Sequence, residues 1–568
     1  MMGIREYVGS EFAKILPELS LEQINTIIEA PKEKAMGDYA FPCFRLAKDF
    51  RRAPAVIAQE IAQRAESLDF FEKVEAVGPY VNMFISREKL ASIILEEYNA
   101  SECFGSSKEG AGKTIVLDYS SINIAKPFHI GHLRTTVIGN SIHKLYQFLG
   151  YKTVRINHLG DWGTQFGKMA VAYEMWGDPQ LVEQKGIRGL LELYVRFHDE
   201  AKEDPSLDDK AREYFSRMEQ GDEHVLSLWR KFVDISLKEV SRVYDLLDVQ
   251  FDSYNGESFY NDKMERPIQE LKDKGLLVES EGAMIVDLSD SDMPPCIVLK
   301  KDGSTLYATR DIAAAIYRKE TYDFDKCIYV TAFDQGLHFA QVFKVLEKMG
   351  YSWSKDLVHV PYGLVSLESG KLSTRGGNVV FLEDLLTEAI QKTRDIIREK
   401  NPDLDNIEEV ARQVGVGAVV FHDLFNNRIK DVTFSWDKVL NFDGETGPYV
   451  QYTFARASSI LRKAQWAKTE MNKINPACLI DQYSQDLLKL IEIFPQRVRE
   501  AADKLEPYIM TRYTVAVATA FNKFYHENSI LGAENEELRA ARLGLTAMVA
   551  HILQSGLDLI GVKAPEKM

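Results

Sequence analysis

Cysteine is scarce and scattered. Its five residues, Cys43, Cys103, Cys296, Cys327 and Cys478, lie far apart in a chain of 568, and no Cys-x-x-Cys unit occurs. That spacing excludes zinc ribbons and dithiol redox motifs and leaves free, mostly buried thiols as the expectation. A long apolar run is also missing. No stretch could span a bilayer, and the start, Met1-Met2-Gly3-Ile4-Arg5-Glu6-Tyr7, lacks the apolar core of a secretory signal. A cytoplasmic protein without a membrane partner is expected. Positive charge is in deficit, with 69 Lys and Arg against 85 Asp and Glu and a formal net charge of −16. Coating nucleic acid without selectivity needs a basic surface, so the balance argues against that role and against a DNA partner, while leaving selective binding open.

What is present fits an ordinary globular protein, with 45% hydrophobic and 27% charged residues. Single cores stop growing at roughly 250–300 residues, so several domains are expected. Two local basic clusters, Arg45, Lys48, Arg51 and Arg52, then Arg456, Arg462, Lys463 and Lys468, are each compatible with a solvated helix face or with RNA contact.

The first hundred residues form a small α/β module. Apolar periodicity predicts a helix over 9–30 and another over 52–66. Residues 38–42 are expected to be an extended piece or turn, and 74–85 carries a strand signal around Gly78-Pro79. The string SSKEGAG at 106–112 is the first convincing linker. Beyond it, KTIVLD (113–118) is a buried-strand pattern, 121–131 a polar loop, 133–148 an amphipathic helix and KTVRIN (152–157) a second strand. That is a βαβ unit, whose ligands gather where strand C-terminal ends meet the helix N-terminus.

In that loop lies His129-Ile130-Gly131-His132. Glycine at 131 permits close approach of a ligand, and two imidazoles three residues apart can face one ligand across the first helical turn. They can donate hydrogen bonds to phosphoryl oxygens as charge develops there. The bare spacing is open first to structural histidines and also to metal ligation.

The four-residue string resembles the HIGH signature of class I aminoacyl-tRNA synthetases, on the strand-loop-helix where that family carries it. The run DYSSINIAKPF (118–128) leading into it is similar to the arginyl branch. Three further segments resemble the same branch: NHLGDWGTQFG (157–167), FDSYNGES (251–258) and STLYATRD (304–311), continuing through FDQGLH (333–338). The resemblance implies an arginine pocket lined by Asn123, Tyr307, Asp311 and Gln335, with Asp311 pairing the guanidinium and Asp118 and Glu257 nearby. Such a pocket suits a planar cation with five donors. His129, His132, Gly131 and Gln165 would meet ATP, while Asp161 and Trp162 would fix the loop after the second strand. Glycines 160, 163 and 167 are expected to permit that loop's tight path.

The second class I signature, KMSKS, has a partial match in Lys371-Leu372-Ser373-Thr374-Arg375. Thr374 stands where the second lysine would be. By resemblance, Lys371, Ser373 and Arg375 would hold ATP phosphates, and Lys126 resembles a lysine that arginyl enzymes lacking the full motif use instead. Magnesium is expected to arrive with ATP, and no protein-bound metal is predicted.

The chain after 436 is expected to be almost wholly helical, with helices near 455–468, 483–503, 508–527, 535–543 and 545–559. This part resembles an anticodon-binding bundle. Tyr449, Tyr452, Tyr513, Asn522 and Tyr525 are candidates for reading unpaired bases, and Arg456 for following the RNA backbone. By the same likeness the N-terminal module would touch the tRNA elbow, with Asp38, Tyr39, Phe41 and Asn82 as candidates.

The implied fold class is multidomain α/β. A small α/β N-terminal domain (1–108) precedes a Rossmann-like catalytic domain (109–390) with a connective insertion at about 170–300. A linking helical segment (391–440) then leads to an all-α anticodon-binding bundle (441–568). The implied activity is ligation of L-arginine to tRNA(Arg) through an arginyl-adenylate, by a monomer that needs tRNA bound for efficient activation. An editing site is not expected, because a site built to pair a guanidinium rejects analogues that leave its buried acceptors unpaired. Another class I synthetase or nucleotidyltransferase, or a non-catalytic tRNA-binding relative, remains open at this point.

Overall fold

The computed structural model describes residues 3–31, 33–367 and 380–568. Lys371, Ser373, Thr374 and Arg375 lie outside the described residues.

The N-terminal module packs helices on a three-stranded antiparallel sheet whose central strand is Tyr80–Ile85, flanked by Tyr39–Pro42 and Phe71–Val77. Its core is aromatic: the Phe12 ring lies 5.4 Å from Phe41 and 5.7 Å from Phe71. The helix expected over 9–30 is two helices, Ile4–Ile15 and Leu21–Ile27. Pro17 ends the first, because the residue before a proline is pushed out of helical geometry. Ser20 starts the second: its hydroxyl accepts from the Gln23 amide N–H, and its own N–H donates to the Gln23 side chain at 2.8 Å. The strand signal over 74–85 resolves into a hairpin, with Gly78 at φ 58° in its turn.

The nucleotide-binding domain expected from the sequence is built on a four-stranded parallel sheet in the order Leu357–Tyr362, Lys326–Ala332, Thr114–Asp118, Lys152–Ile156. The helix Ile130–Phe148 crosses from the third of these to the fourth. Chain order therefore reverses between Thr114–Asp118 and Lys326–Ala332, the switch point where the strand ends open a crevice.

Between the halves of the sheet runs the insertion: helices from Thr164–Trp176 to Glu223–Leu247, then an antiparallel sheet of Leu277–Ser280, Ala283–Val286 and Cys296–Leu299. A short parallel pair, Val365–Leu367 with Val432–Phe434, joins helices Leu382–Lys400 and Ile407–Leu424 to the nucleotide-binding domain.

The C-terminal part is helical, with three departures from expectation, the first being that the helix expected near 455–468 runs over Gly447–Lys463. The run 483–503 divides into Gln482–Glu492 and Phe494–Lys504, the second carrying Pro495 in its first turn, where a missing N–H is harmless. The expected helices 535–543 and 545–559 are one helix, Glu536–Leu559. Gly544 does not break it, since a Cβ there would come 2.0 Å from Ile474 Cδ1, so the glycine serves close packing.

Candidate active site

The site grows from the loop between Asp118 and His129. Ser120, Ser121 and Ala125 have φ of 70°, 42° and 60°, unusual for residues with a side chain. Neighbouring elements hold that shape. The Thr135 hydroxyl accepts from the Ser120 N–H at 3.0 Å and donates to the Val330 carbonyl at 2.7 Å. From the insertion helix Glu223–Leu247, the Ser236 hydroxyl accepts from the Ala125 N–H, and Tyr244 bonds both Ser120 and Asn157.

His129 caps the helix Ile130–Phe148. Its Nδ1 accepts from the Gly131 N–H at 3.0 Å, and His132 Nδ1 accepts from the His129 N–H at 3.3 Å. The rings lie 4.0 Å apart. A Cβ at position 131 would stand 2.8 Å from the His129 ring, so only glycine lets the imidazole fold over the helix start. Burial lowers the pKa of both, helped at His129 by the Lys126 charge and at His132 by His129 and Lys126. Neutral rings with Nδ1 engaged as acceptors carry their proton on Nε2, so each keeps one donor.

A cavity of about 820 Å³ opens at the switch point. Its lining brings together His129, Gly131, His132 and Gln165 with Asp118, Asn123, Glu257, Tyr307, Asp311 and Gln335. Trp162 also lines it. Asp161 does not: its carboxylate accepts from the Ser258 N–H and hydroxyl at 2.8 and 2.6 Å, pinning the 251–258 segment beneath the wall. Gly167 is not a loop residue. It sits in the helix Thr164–Trp176, where a Cβ would meet the Ala211 carbonyl oxygen at 2.0 Å.

The acidic wall is already partnered. Asp118 pairs with the buried Arg318 at 2.7 Å and accepts from the Ser121 hydroxyl at 2.7 Å, which makes it a bracing group as much as a contact. Glu257 stands 3.5 Å from Arg310. Burial raises its pKa to about 7, against the pull of Arg310 and with the push of Asp311 and Asp161. Asp311 Oδ2 meets His338 Nε2 at 2.5 Å. Burial works to raise the Asp311 pKa, but the His338 hydrogen bond and charge outweigh it and the net shift is downward. His158, Arg310, Arg318 and His338 were missed as site residues. His158 could have been found by its place just past the second strand. The others are set by tertiary contacts. Among the described residues, no three His, Cys, Asp or Glu side chains gather as metal ligands.

On the helical bundle, Tyr452 and Tyr525 are exposed and flank the Arg456 guanidinium at 5.0 and 5.2 Å from their ring centres. Asn522 bonds Arg456 and also donates to the Tyr449 hydroxyl at 3.0 Å. Three expectations need correction. Tyr513 is buried, stacks on Phe494 and donates to the Leu490 carbonyl at 2.7 Å, so it packs the bundle and cannot present its face to a base. Asn82 is 2% exposed at the centre of the N-terminal sheet, opposite Ala40 and Glu75, and Phe41 is fully buried against Phe12, so neither faces a tRNA, while Tyr39 is half-buried.

A parallel sheet opening at its switch point, with an imidazole pair on the first turn of the crossover helix, defines a class I aminoacyl-tRNA synthetase catalytic domain, and comparison places it further. The family described as "tRNA synthetases class I (R), catalytic domain" matches residues 92–436. The "Arginyl tRNA synthetase N terminal domain" matches 3–85 and the "DALR anticodon binding domain" 450–568. The arginine--tRNA ligases of Alkaliphilus metalliredigens and Clostridioides difficile are 54% and 55% identical, each over 100% of both chains. The solved arginyl-tRNA synthetase of Thermus thermophilus superposes with TM-score 0.81 at 26% identity, covering 99% of this chain and all of its own. That of Plasmodium falciparum gives 0.79 at 25% identity over the whole of both chains. The chain belongs to the arginyl-tRNA synthetase family.

Proposed function

We propose that the protein ligates L-arginine to tRNA(Arg) with ATP, through an arginyl-adenylate. The observation that carries this is a single cavity lined both by the imidazole pair and by Glu257 and Asp311, fit to hold a triphosphate and a guanidinium together. The arginine carboxylate attacks the α-phosphorus, the bond to the bridging oxygen breaks, and pyrophosphate leaves. His129 and His132 donate their Nε2 protons as hydrogen bonds to oxygens gaining charge, which stabilises the transition state more than the ground state. Proximity of the two substrates supplies much of the remainder. The terminal ribose 2′-hydroxyl then attacks the adenylate carbonyl and AMP leaves.

Asp311 pairs the guanidinium, with Tyr307 over it, while Asn123 and Gln335 place the polar groups near the α-carbon. Lys126 and Lys371 supply positive charge to the phosphates beside Ser373 and Arg375, and Mg²⁺ enters as part of the ATP substrate. Tyr452, Arg456 and Tyr525 offer a stacking surface for the anticodon, and Tyr39 an N-terminal contact for the tRNA elbow. The enzyme acts as a cytoplasmic monomer. Incubation with ATP, labelled arginine and total tRNA tests the assignment: acid-precipitable arginine is expected, and charging with a different amino acid would contradict it.

A further inference from the structure

The guanidinium site already holds an imidazole on its carboxylate. His338 Nε2 sits 2.5 Å from Asp311 Oδ2, and both side chains line the cavity. A guanidinium grips a carboxylate best through both oxygens, so a protonated imidazole on Oδ2 competes for the atom arginine needs. The charge surroundings sharpen the conflict. On the helix that carries Asp311 stand Arg310, facing Glu257, and the buried Arg318, facing Asp118. His158 approaches from the end of the neighbouring strand, 3.4 Å from Arg318. Asp334 lies on the turn before His338, and His359 stacks on Phe339 from the adjoining strand at 5.1 Å. A further cation entering this desolvated wall is costly unless positive charge departs. Arg310 and Arg318 cannot lose a proton, and an imidazole can.

We propose that His338 is a specificity-determining residue that occupies Asp311 in place of a guanidinium: arginine takes Oδ2 from it, and His338 gives up its proton to solvent as arginine binds. This rests on the reading that the cavity takes arginine. Lysine, a point charge without the planar fork that presents two parallel N–H groups to a carboxylate, displaces the imidazolium poorly, so the exchange adds selectivity to the pairing itself.

The sign follows from the pair. Burial opposes protonation of His338, the hydrogen bond and charge of Asp311 outweigh it, and the net shift is upward. Below that raised pKa the imidazolium holds Asp311, so arginine affinity falls as pH falls, about tenfold per pH unit for one proton. Above it, this dependence vanishes.

Calorimetric titration of the full chain with L-arginine at about pH 6, below the ordinary imidazole value, in buffers of different ionisation enthalpy, measures the proton directly. Heat that varies with buffer, showing proton release, is the expected result for the unaltered protein and needs no variant. Glu257 also titrates near neutrality and can contribute a proton of its own, so two variants assign the source. His338→Gln keeps a donor for Asp311 but has no proton to lose, and its release should fall by about one proton with a correspondingly flatter pH profile. Glu257→Gln should retain the His338 share. Buffer-independent heat in the unaltered protein, or an undiminished release in His338→Gln, overturns the proposal while leaving arginine binding intact. Failure of arginine to bind at any pH overturns the functional reading and the proposal with it.

Discussion

His129 and His132 show how much a short string can carry. Their spacing, the glycine between them and the strand-loop-helix around them are local facts, so their place on the first turn of the crossover helix was legible before any fold was known. The acids Asp118, Glu257 and Asp311 were legible as pocket residues, but their partners were not. Arg318 lies 2.7 Å from Asp118 across two hundred residues of chain, a juxtaposition that only tertiary packing creates. Removing the Nε2 donor by His132→Ala should lower arginine-dependent adenylate formation by about 10²–10³-fold while arginine affinity changes little. Single-turnover kinetics with a separate binding titration checks this, and an equal loss in both would place His132 in binding alone. Asp311→Asn should instead weaken arginine binding by about 10–100-fold, the loss of a charge-assisted pair, with adenylate formation at saturating arginine much less affected.

Helix boundaries were harder to read than helix existence. A proline inside an apolar-periodic run split residues 9–30 in two, whereas Gly544, which has the look of a breaker, lies inside one continuous helix because Ile474 packs against it. Gly167 makes the same point. Its neighbour is the backbone of the helix Ser206–Glu219, which cannot rotate away as a side-chain tip can. Gly167→Ala should therefore force the two helices apart and cost about 1–3 kcal/mol, measurable by chemical denaturation. A neutral result would mean that the pair relaxes freely.

The contact between the insertion helix Glu223–Leu247 and the helix Leu382–Lys400 carries a pH signature. Glu239 is buried there, and burial, with Glu383 nearby, raises its carboxyl to about 7 despite Arg242 and Arg188. A carboxyl raised on folding stabilises the folded state below its unfolded pKa, and that contribution is lost as pH rises through about 7. Glu239→Gln, which cannot ionise, should thus gain stability relative to the unaltered protein between about pH 5 and 8, by up to about 3 kcal/mol. Denaturation midpoints of both proteins at the two pH values check the sign.

At the scale of the molecule, the order of parts could be read from composition and motif: small module, nucleotide-binding core, insertion, helical bundle. Their mutual contacts could not. The helix Arg87–Ala100 joins the N-terminal module to the bundle, with Tyr98 bonded to His551 at 2.9 Å and Arg87 donating to the Ile480 carbonyl at 2.9 Å. The bundle returns to the core through Lys563, paired with Asp248, and through Ser141 of the crossover helix, which donates to the Leu559 carbonyl at 2.9 Å. Such pairings join residues hundreds of positions apart and leave no periodic trace in the sequence. Pyrophosphate exchange into ATP, measured with each of the twenty amino acids, with and without total tRNA, tests the central claim most directly. Exchange with arginine alone, appearing or rising steeply when tRNA is added, is the predicted result; exchange driven by another amino acid, or none with tRNA bound, would contradict it.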